Sequence, residues 1–304
     1  MEENNRLGAS WMIGAATGFT LVSVLAKALA VGGISVFQLG FARSFFALLP
    51  LLPLLWLGGL SAFRTQHPWT HLLRACCGTA AMTLGFYALS YLPLATVIVL
   101  GFTAPLFAVV MAILFLGEKV RWRRLMATLV GFVGVVITVQ PQELLAAGFW
   151  DGALLLPFLG ALGSAFLIAC AVTLVKRFPR GESEPVMLFY FCLASVVLNA
   201  PLAILDWRAP TAMEWLLLAG VGVVGLAAQA MVIKAYRNGA VSFVAPFDYL
   251  KLPMAGLLGL LLFSERPQMA TYIGAVVIIG SAFYIARREA TMRRDAVAKE
   301  TSAF

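Results

Sequence analysis

The sequence predicts an all-α integral membrane protein of ten transmembrane helices, arranged as two inverted five-helix repeats. Three observations predict it. The chain is 62% hydrophobic and only 12% charged, with mean hydropathy +0.93, which is more apolar surface than one soluble core buries. Its apolar runs have the length, roughly 18 residues, that crosses a bilayer as a helix. Finally, the stretch AVVMAILFLGEK ending at Lys119 reappears 147 positions later as AGLLGLLLFSER, ending at Arg266. Self-similarity at about half the chain length marks a duplicated domain.

The ten segments are 9–29, 34–57, 72–91, 94–116, 125–140, 152–175, 185–205, 213–233, 240–263 and 269–286. They give a first repeat over 8–140, a second over 152–288 and a cytoplasmic tail over 289–304. Segment 125–140 is short, and 185–205 is interrupted by polar Asn199. The first segment resembles a signal peptide, with Ala28-Leu29-Ala30 after an apolar run. However, Glu2 and Glu3 leave the leading residues without basic character. Gly14 to Lys27 also matches the internal stretch Gly163 to Lys176, so a retained first helix is expected.

Charge sets the expected orientation. The termini and alternate loops collect Arg6, Arg64, Arg74, Lys119, Arg121, Arg123, Arg124, Lys176, Arg177, Arg180, Lys234, Arg237, Arg287, Arg288, Arg293, Arg294 and Lys299. The opposite loops receive Lys27, Arg208 and Arg266. Basic loops stay cytoplasmic, which places both termini there. The +8 net charge is then topological, and no continuous basic surface serves a nucleic acid. An odd five spans per half makes the second half enter from the opposite face. Glu118-Lys119 becomes cytoplasmic and Glu265-Arg266 external. Such halves, related by a pseudo-two-fold axis in the membrane plane, are how many secondary transporters are built, with the substrate site near the midplane.

A family resemblance rests on particular residues. In the first half they are Ala88-Leu-Ser-Tyr-Leu-Pro-Leu-Ala95, Phe102-Thr-Ala-Pro-Leu-Phe107, Leu116-Gly-Glu118 and Gly131-Phe-Val-Gly-Val135. In the second they are Ala245-Pro246, Pro253, Ser264-Glu265 and Gly274. With these, the chain resembles the ten-helix EamA-type members of the drug/metabolite transporter superfamily, over roughly residues 8–288. The resemblance implies cytoplasmic termini, a cavity between two five-helix halves and movement of small organic metabolites. Pro253 stands one residue off the register of Pro105.

Proline in a spanning helix removes a backbone hydrogen bond and kinks the chain. Pro105, Pro246 and Pro253 therefore mark places where the fourth and ninth segments can line a cavity and flex, or simply shape the bundle. Glu118 and Glu265 lie at segment ends and read as structural caps for the following turns. The ionisable groups inside the spans are Arg43, Asp248 and Lys251, each costly in lipid unless paired or wetted. Asp248 and Lys251 are three apart and share a helical face. They either meet a substrate's charged groups or form an internal ion pair. Arg43 either binds an anionic substrate group or anchors its helix, to a carbonyl or to Asp248. Tyr87, Tyr91, Phe102, Phe166 and Tyr249 offer stacking faces and hydroxyl donors, with Phe86 beside them. The amides of Gln38 and Gln229 want partners.

Spacings such as Gly131-xx-Gly134 and Gly256-xx-Gly259 suit close helix crossings. There is no phosphate-binding loop, nucleophile elbow or zinc-protease helix. His67 and His71 fall in or beside a cytoplasmic loop, and Cys76, Cys77, Cys170 and Cys192 are scattered. No cofactor, metal site or enzymatic activity is expected. The expectation is a secondary transporter of the inner membrane moving a small polar organic metabolite, an amino acid or a compound derived from one, outward by alternating access. The alternative is an uptake carrier for a vitamin or nucleoside-like metabolite such as riboflavin or S-adenosylmethionine. The expected partners are that solute and the bilayer, with protons and a second copy as open options.

Overall fold

The computed structural model describes residues 5–53, 65, 68–116, 122–139, 155–175, 184–239 and 241–301. Within them the chain runs α1 Asn5–Val31, α2 Val36–Leu48, α3 Pro68–Tyr91, α4 Leu94–Gly101, α5 Ala104–Leu116 and α6 Trp122–Val139. It continues as α7 Leu155–Val175, α8 Glu184–Leu205, α9 Ala212–Asn238, α10 Val241–Val244, a 3-10 stretch Ala245–Leu250, α11 Lys251–Phe263 and α12 Met269–Thr301. There are no strands among the described residues. Lipid offers no partner for a free amide, so an apolar chain closes its hydrogen bonds within helices.

Seven stretches are long and apolar enough to cross a bilayer: Arg6–Val31, Pro68–Tyr91, Leu94–Met111, Leu155–Leu174, Pro185–Leu205, Ala212–Asn238 and Ala245–Phe263. Val36–Leu51, Leu125–Thr138 and Met269–Ile285 are shorter apolar helices. The outer faces are apolar too: Leu125, Leu129, Val133 and Val136 form an exposed stripe along α6. On a water-soluble bundle this stripe would be polar. This is a multi-pass membrane protein.

Several expectations change in detail. Asn199 does not interrupt its helix; α8 runs through it and through Pro201. The Asn199 amide is buried and satisfied by the Ser195 carbonyl at 2.9 Å and by the Thr83 hydroxyl at 3.3 Å. Lys27 is not a loop residue, because α1 continues to Val31 and holds it one turn inside. His71 lies in the first turn of α3, buried and stacked on Tyr190 at 5.0 Å. The stretch read as a tail from 289 continues α12 as helix to Thr301.

The packing pairs repeat across the halves. α1 lies along α9 as α3 lies along α7, and α2 meets α9 as α3 meets α8. α6 packs on α12, and α2 on α8. One end of the bundle gathers the close of α1, α3, α8 and α11 with the start of α2, α4 and α9. There the Gln38 side chain donates to the Arg208 carbonyl at 2.8 Å, and Arg208 pairs with Glu214 at 2.7 Å. Thr211 and Glu214 form a capping box at the start of α9. At the other end, the start of α1 reaches α9 and α10: Lys234 sits over Trp11 at 4.7 Å, and Gly8 touches Gly239 and Val244.

The α6–α12 crossing is the tightest seam. A Cβ on Gly274 would fall 2.0 Å from Thr138 Oγ1 and 2.6 Å from the Gly134 carbonyl oxygen. Helices approach this closely in membranes only where a side chain is missing. Gly274→Val should therefore lower stability by about 2 kcal/mol or more, read as a loss of unfolding temperature in mild detergent. Gly280→Ala on the same helix, with nothing within 4 Å of the added atom, should change it little.

Candidate functional site

Two broken helices lie in register. Shifted by 147 residues, Leu94–Gly101 and Ala104–Leu116 fall on 241–248 and 251–263. The second helical half thus starts at Ala104 in one repeat and at Lys251 in the other. The prolines account for the breaks. Pro105 occupies the second position of α5 and Pro246 the second position of the 3-10 stretch, where first-turn amides have no helical partner anyway. The helices are interrupted rather than merely kinked. The freed groups find local partners: Thr103 Oγ1 donates to the Leu100 carbonyl at 2.6 Å, and Phe102 N–H to that of Val99 at 3.1 Å. Ala245–Leu250 tightens to 3-10 pitch instead.

The two breaks touch. Phe102, at the first, meets Tyr249, at the second, edge to face with ring centres 5.0 Å apart. Those residues correspond under the same 147-residue shift. One residue before Tyr249, Asp248 pairs with Lys251 at 2.5 Å. Lys251 Nζ also lies 4.8 Å from the centre of the Phe19 ring on α1. An acid, a base, one hydroxyl and two further rings thus converge from α1, the first break, the 3-10 stretch and α11. The Asp248 and Lys251 side chains keep 29% and 20% of their surface accessible, so the pair remains within reach of a solute.

The other candidate residues lie around this centre. Arg43 reaches from α2 between α3, α8 and α9. Its Nη1 faces the Met82 sulfur, and its guanidinium stands 6.0 Å from the Phe86 ring centre. Gly225 leaves room beside it, and Arg43 Nε is buried with no hydrogen-bond partner. It makes no ion pair with Asp248, whose partner is Lys251. Tyr87 packs against Tyr91 on α3 with tilted rings 5.1 Å apart, and Tyr91 is 59% exposed. Phe166 on α7 meets Phe107 at 5.7 Å rather than the Phe102–Tyr249 pair. Gln229 is half-buried on α9 without a polar partner. Pro253 sits in the first turn of α11. Glu118 lies outside the described residues.

Glu265 makes a defined set of contacts. Its carboxylate pairs with Lys27 and accepts from the Leu94 N–H at 2.8 Å. Lys27 Nζ also donates to the Leu92 carbonyl at 2.5 Å and stands 5.6 Å from the Phe263 ring. Because α4 begins after Pro93, the Leu94 amide is a free helix-start donor, where an anion is favoured. Ser264, the one positive-φ residue besides glycine among the described residues, at +55°, turns the chain so that Glu265 points back. Gly259 leaves the carboxylate space; a Cβ there would lie 3.1 Å from Glu265 Oε2.

Broken helices meeting inside a bundle are the architecture that a membrane carrier uses, here at paired aromatics beside a half-buried ion pair, and sequence comparison gives the same answer. The EamA-like transporter family profile matches residues 6–140 and 155–287. The chain belongs to the EamA-like transporter family. Among relatives of this EamA-like chain is a riboflavin transporter of Vibrio cholerae, 35% identical, the alignment covering 94% of this chain and 95% of the relative. An S-adenosylmethionine uptake transporter of Rickettsia bellii is 32% identical, covering 92% and 93%. A pseudopaline exporter of Pseudomonas aeruginosa is 26% identical, covering 88% and 92%.

Phe19 and Lys27 join these EamA-like constellations without having been named as site residues in the sequence. A lone aromatic in an apolar run carries no local signal; only the packing of α1 against the second break brings Phe19 to the acid–base pair. Lys27 did carry one, the Gly…Lys match between repeats, but the charge pattern groups it with the loop that follows its segment. Phe102→Leu and Tyr249→Leu should each lower stability, and their effects should couple by about 1 kcal/mol in a double-mutant cycle of unfolding. Strictly additive losses would show that the rings do not act as a pair.

Proposed function

We propose that this protein is a ten-helix secondary transporter of the inner membrane, with both termini cytoplasmic, that takes up a heteroaromatic metabolite bearing polar groups. The observation that carries the substrate class is the relatives. At 30% identity or more over most of both chains stand proteins named for S-adenosylmethionine uptake and riboflavin transport. The relative named as an exporter is more distant. Uptake of a vitamin or nucleoside-like solute is therefore preferred to export of an amino acid.

The architecture supports the reading. Counting α4–α5 and α10–α11 as one broken span each, the described helices make ten segments, seven of them long and apolar enough to cross a bilayer and three shorter, which supports the ten-span reading. Exchanging the halves turns the α1–α9 pair into α7–α3 and the α2–α9 pair into α8–α3. It leaves α6–α12 and α2–α8 paired as before. A pseudo-two-fold axis in the membrane plane, passing by Phe102 and Tyr249, produces this pattern. The solute would stack on Tyr249, Phe102 and Phe19, with Asp248 and Lys251 reading its polar groups. Arg43 and Gln229, both with unmet hydrogen-bonding capacity, would complete recognition from α2 and α9. Rings supply affinity through area and stacking, and the charged groups supply orientation.

Purified protein in proteoliposomes tests this. Counterflow of radiolabelled riboflavin or S-adenosylmethionine is expected, exceeding that of any amino acid. Preferential amino-acid exchange would restore the export reading, and no flux of any solute would remove the transporter reading. Lys251→Ala should weaken apparent affinity for the transported solute by about tenfold, the scale of one lost charged contact; unchanged affinity would take Lys251 out of the site. An imposed pH gradient that accelerates uptake would assign proton coupling, for which Asp248 is the candidate carrier.

A further inference from the structure

The two ends of the helix-break assembly are not alike. α4 packs against α11, close enough that a Cβ on Gly259 would lie 3.7 Å from Leu94 Cβ. Exchanging the repeats turns this pair into α5 with α10, which do not form a packed pair among the described residues. Among those residues the halves are thus packed together at the Glu265 end and not at the α5–α10 counterpart.

Across the shut seam run the contacts of Glu265. The carboxylate belongs to the second half, whereas Lys27, Leu92 and Leu94 belong to the first. We propose that Lys27 and Glu265 form a latch that holds the Glu265 end closed and must break once in every transport cycle. The inference rests on the inverted-repeat reading. If the two repeats exchange conformations, the opposite state closes α5 on α10 and opens α4 from α11. Glu265 cannot then keep both Lys27 and the Leu94 amide, because those partners move away with α1 and α4. The latch is suited to reversal. When the pair parts, the ammonium keeps the Leu92 carbonyl of its own half, and the carboxylate, released from the Leu94 amide, meets the water that enters at the opening end. The left-handed Ser264 and the side-chain-free Gly259 are what aim the carboxylate across the seam, a backbone cost that a mere loop residue would not sustain.

The test reads accessibility and needs no knowledge of the solute. In a background with Cys76, Cys77, Cys170 and Cys192 replaced, Ala255→Cys puts a thiol at a fully buried position of α11 in the core that Leu94 shares. A membrane-impermeant maleimide is applied to the face that carries Glu265. Lys27→Met or Glu265→Gln, the latter keeping an acceptor for Leu94, should raise the labelling rate about tenfold by shifting the population of open molecules. Lys27→Arg should keep the parent rate. In the double variant the two effects should not add. Unchanged labelling in either folded variant would overturn the latch. Should neither variant accumulate, the pair Leu94→Cys with Gly259→Cys decides, since the Cβ separation is that of a disulfide. Oxidation should abolish counterflow of whichever solute the parent carries, and reduction should restore it; flux through the oxidised protein would end the proposal. A parent protein without flux, but with latch-dependent labelling, would sink the transporter reading and leave the latch standing.

Discussion

Water is absent from the middle of a bilayer, so a backbone amide exposed there by a broken helix has to be satisfied by the protein. This one constraint organises the molecule. Corresponding spans of the two halves are each broken, at 102–103 and again through the 3-10 stretch Ala245–Leu250. The first break is buried, where Thr103 bonds the Leu100 carbonyl, and the second is half-buried against it, the rings of Phe102 and Tyr249 closing on each other. Placed on the outside of the bundle, facing lipid, either break would leave polar groups bare. The breaks are therefore confined to where two halves meet, and the acid–base pair that follows the second break is confined with them.

Glycine and charge then divide the remaining work. At Gly134 and Gly274 the missing side chains let α6 and α12 come into backbone contact, which fixes one edge of the junction between halves. At the Glu265 end the junction is made by charge instead, through Lys27 and a helix-start amide. A glycine seam has no second arrangement of comparable quality, whereas an ion pair beside other dipoles can be exchanged for them. In the proposed cycle the first kind of contact is the fixed pivot and the second the part that moves.

The family fits this division of labour. Relatives of this EamA-like chain include proteins named for S-adenosylmethionine uptake and for riboflavin transport, and the proposed uptake of such a solute asks the site to accept a flat ring and polar groups in one place. Tyr249, Phe102 and Phe19 offer faces, and Asp248 with Lys251 offers both signs of charge within 2.5 Å. Such a pair is already compensated, so it does not demand a charged solute and can serve a neutral or a zwitterionic one.

Much of this was legible in the residues before any coordinates. Hydropathy marked the helices, because lipid leaves an apolar chain no other way to pair its backbone, and the shared ends at Lys119 and Arg266 announced the repeat. The prolines marked the breaks, since a missing amide is a local property. What the sequence could not determine is which elements face one another. Asp248 and Lys251 were open between ligand and ion pair, and Arg43 between anchor and ligand, because a charge's partner depends on helices far along the chain. The tertiary structure decided that Asp248 pairs with Lys251, that Arg43 stands apart from both, and that Lys27 reaches Glu265 across 238 positions of sequence. Periodicity and turn chemistry are written locally, but the packing of α1 beside α9 and α11 is a property of the whole bundle. Only that packing brings the distant side chains together.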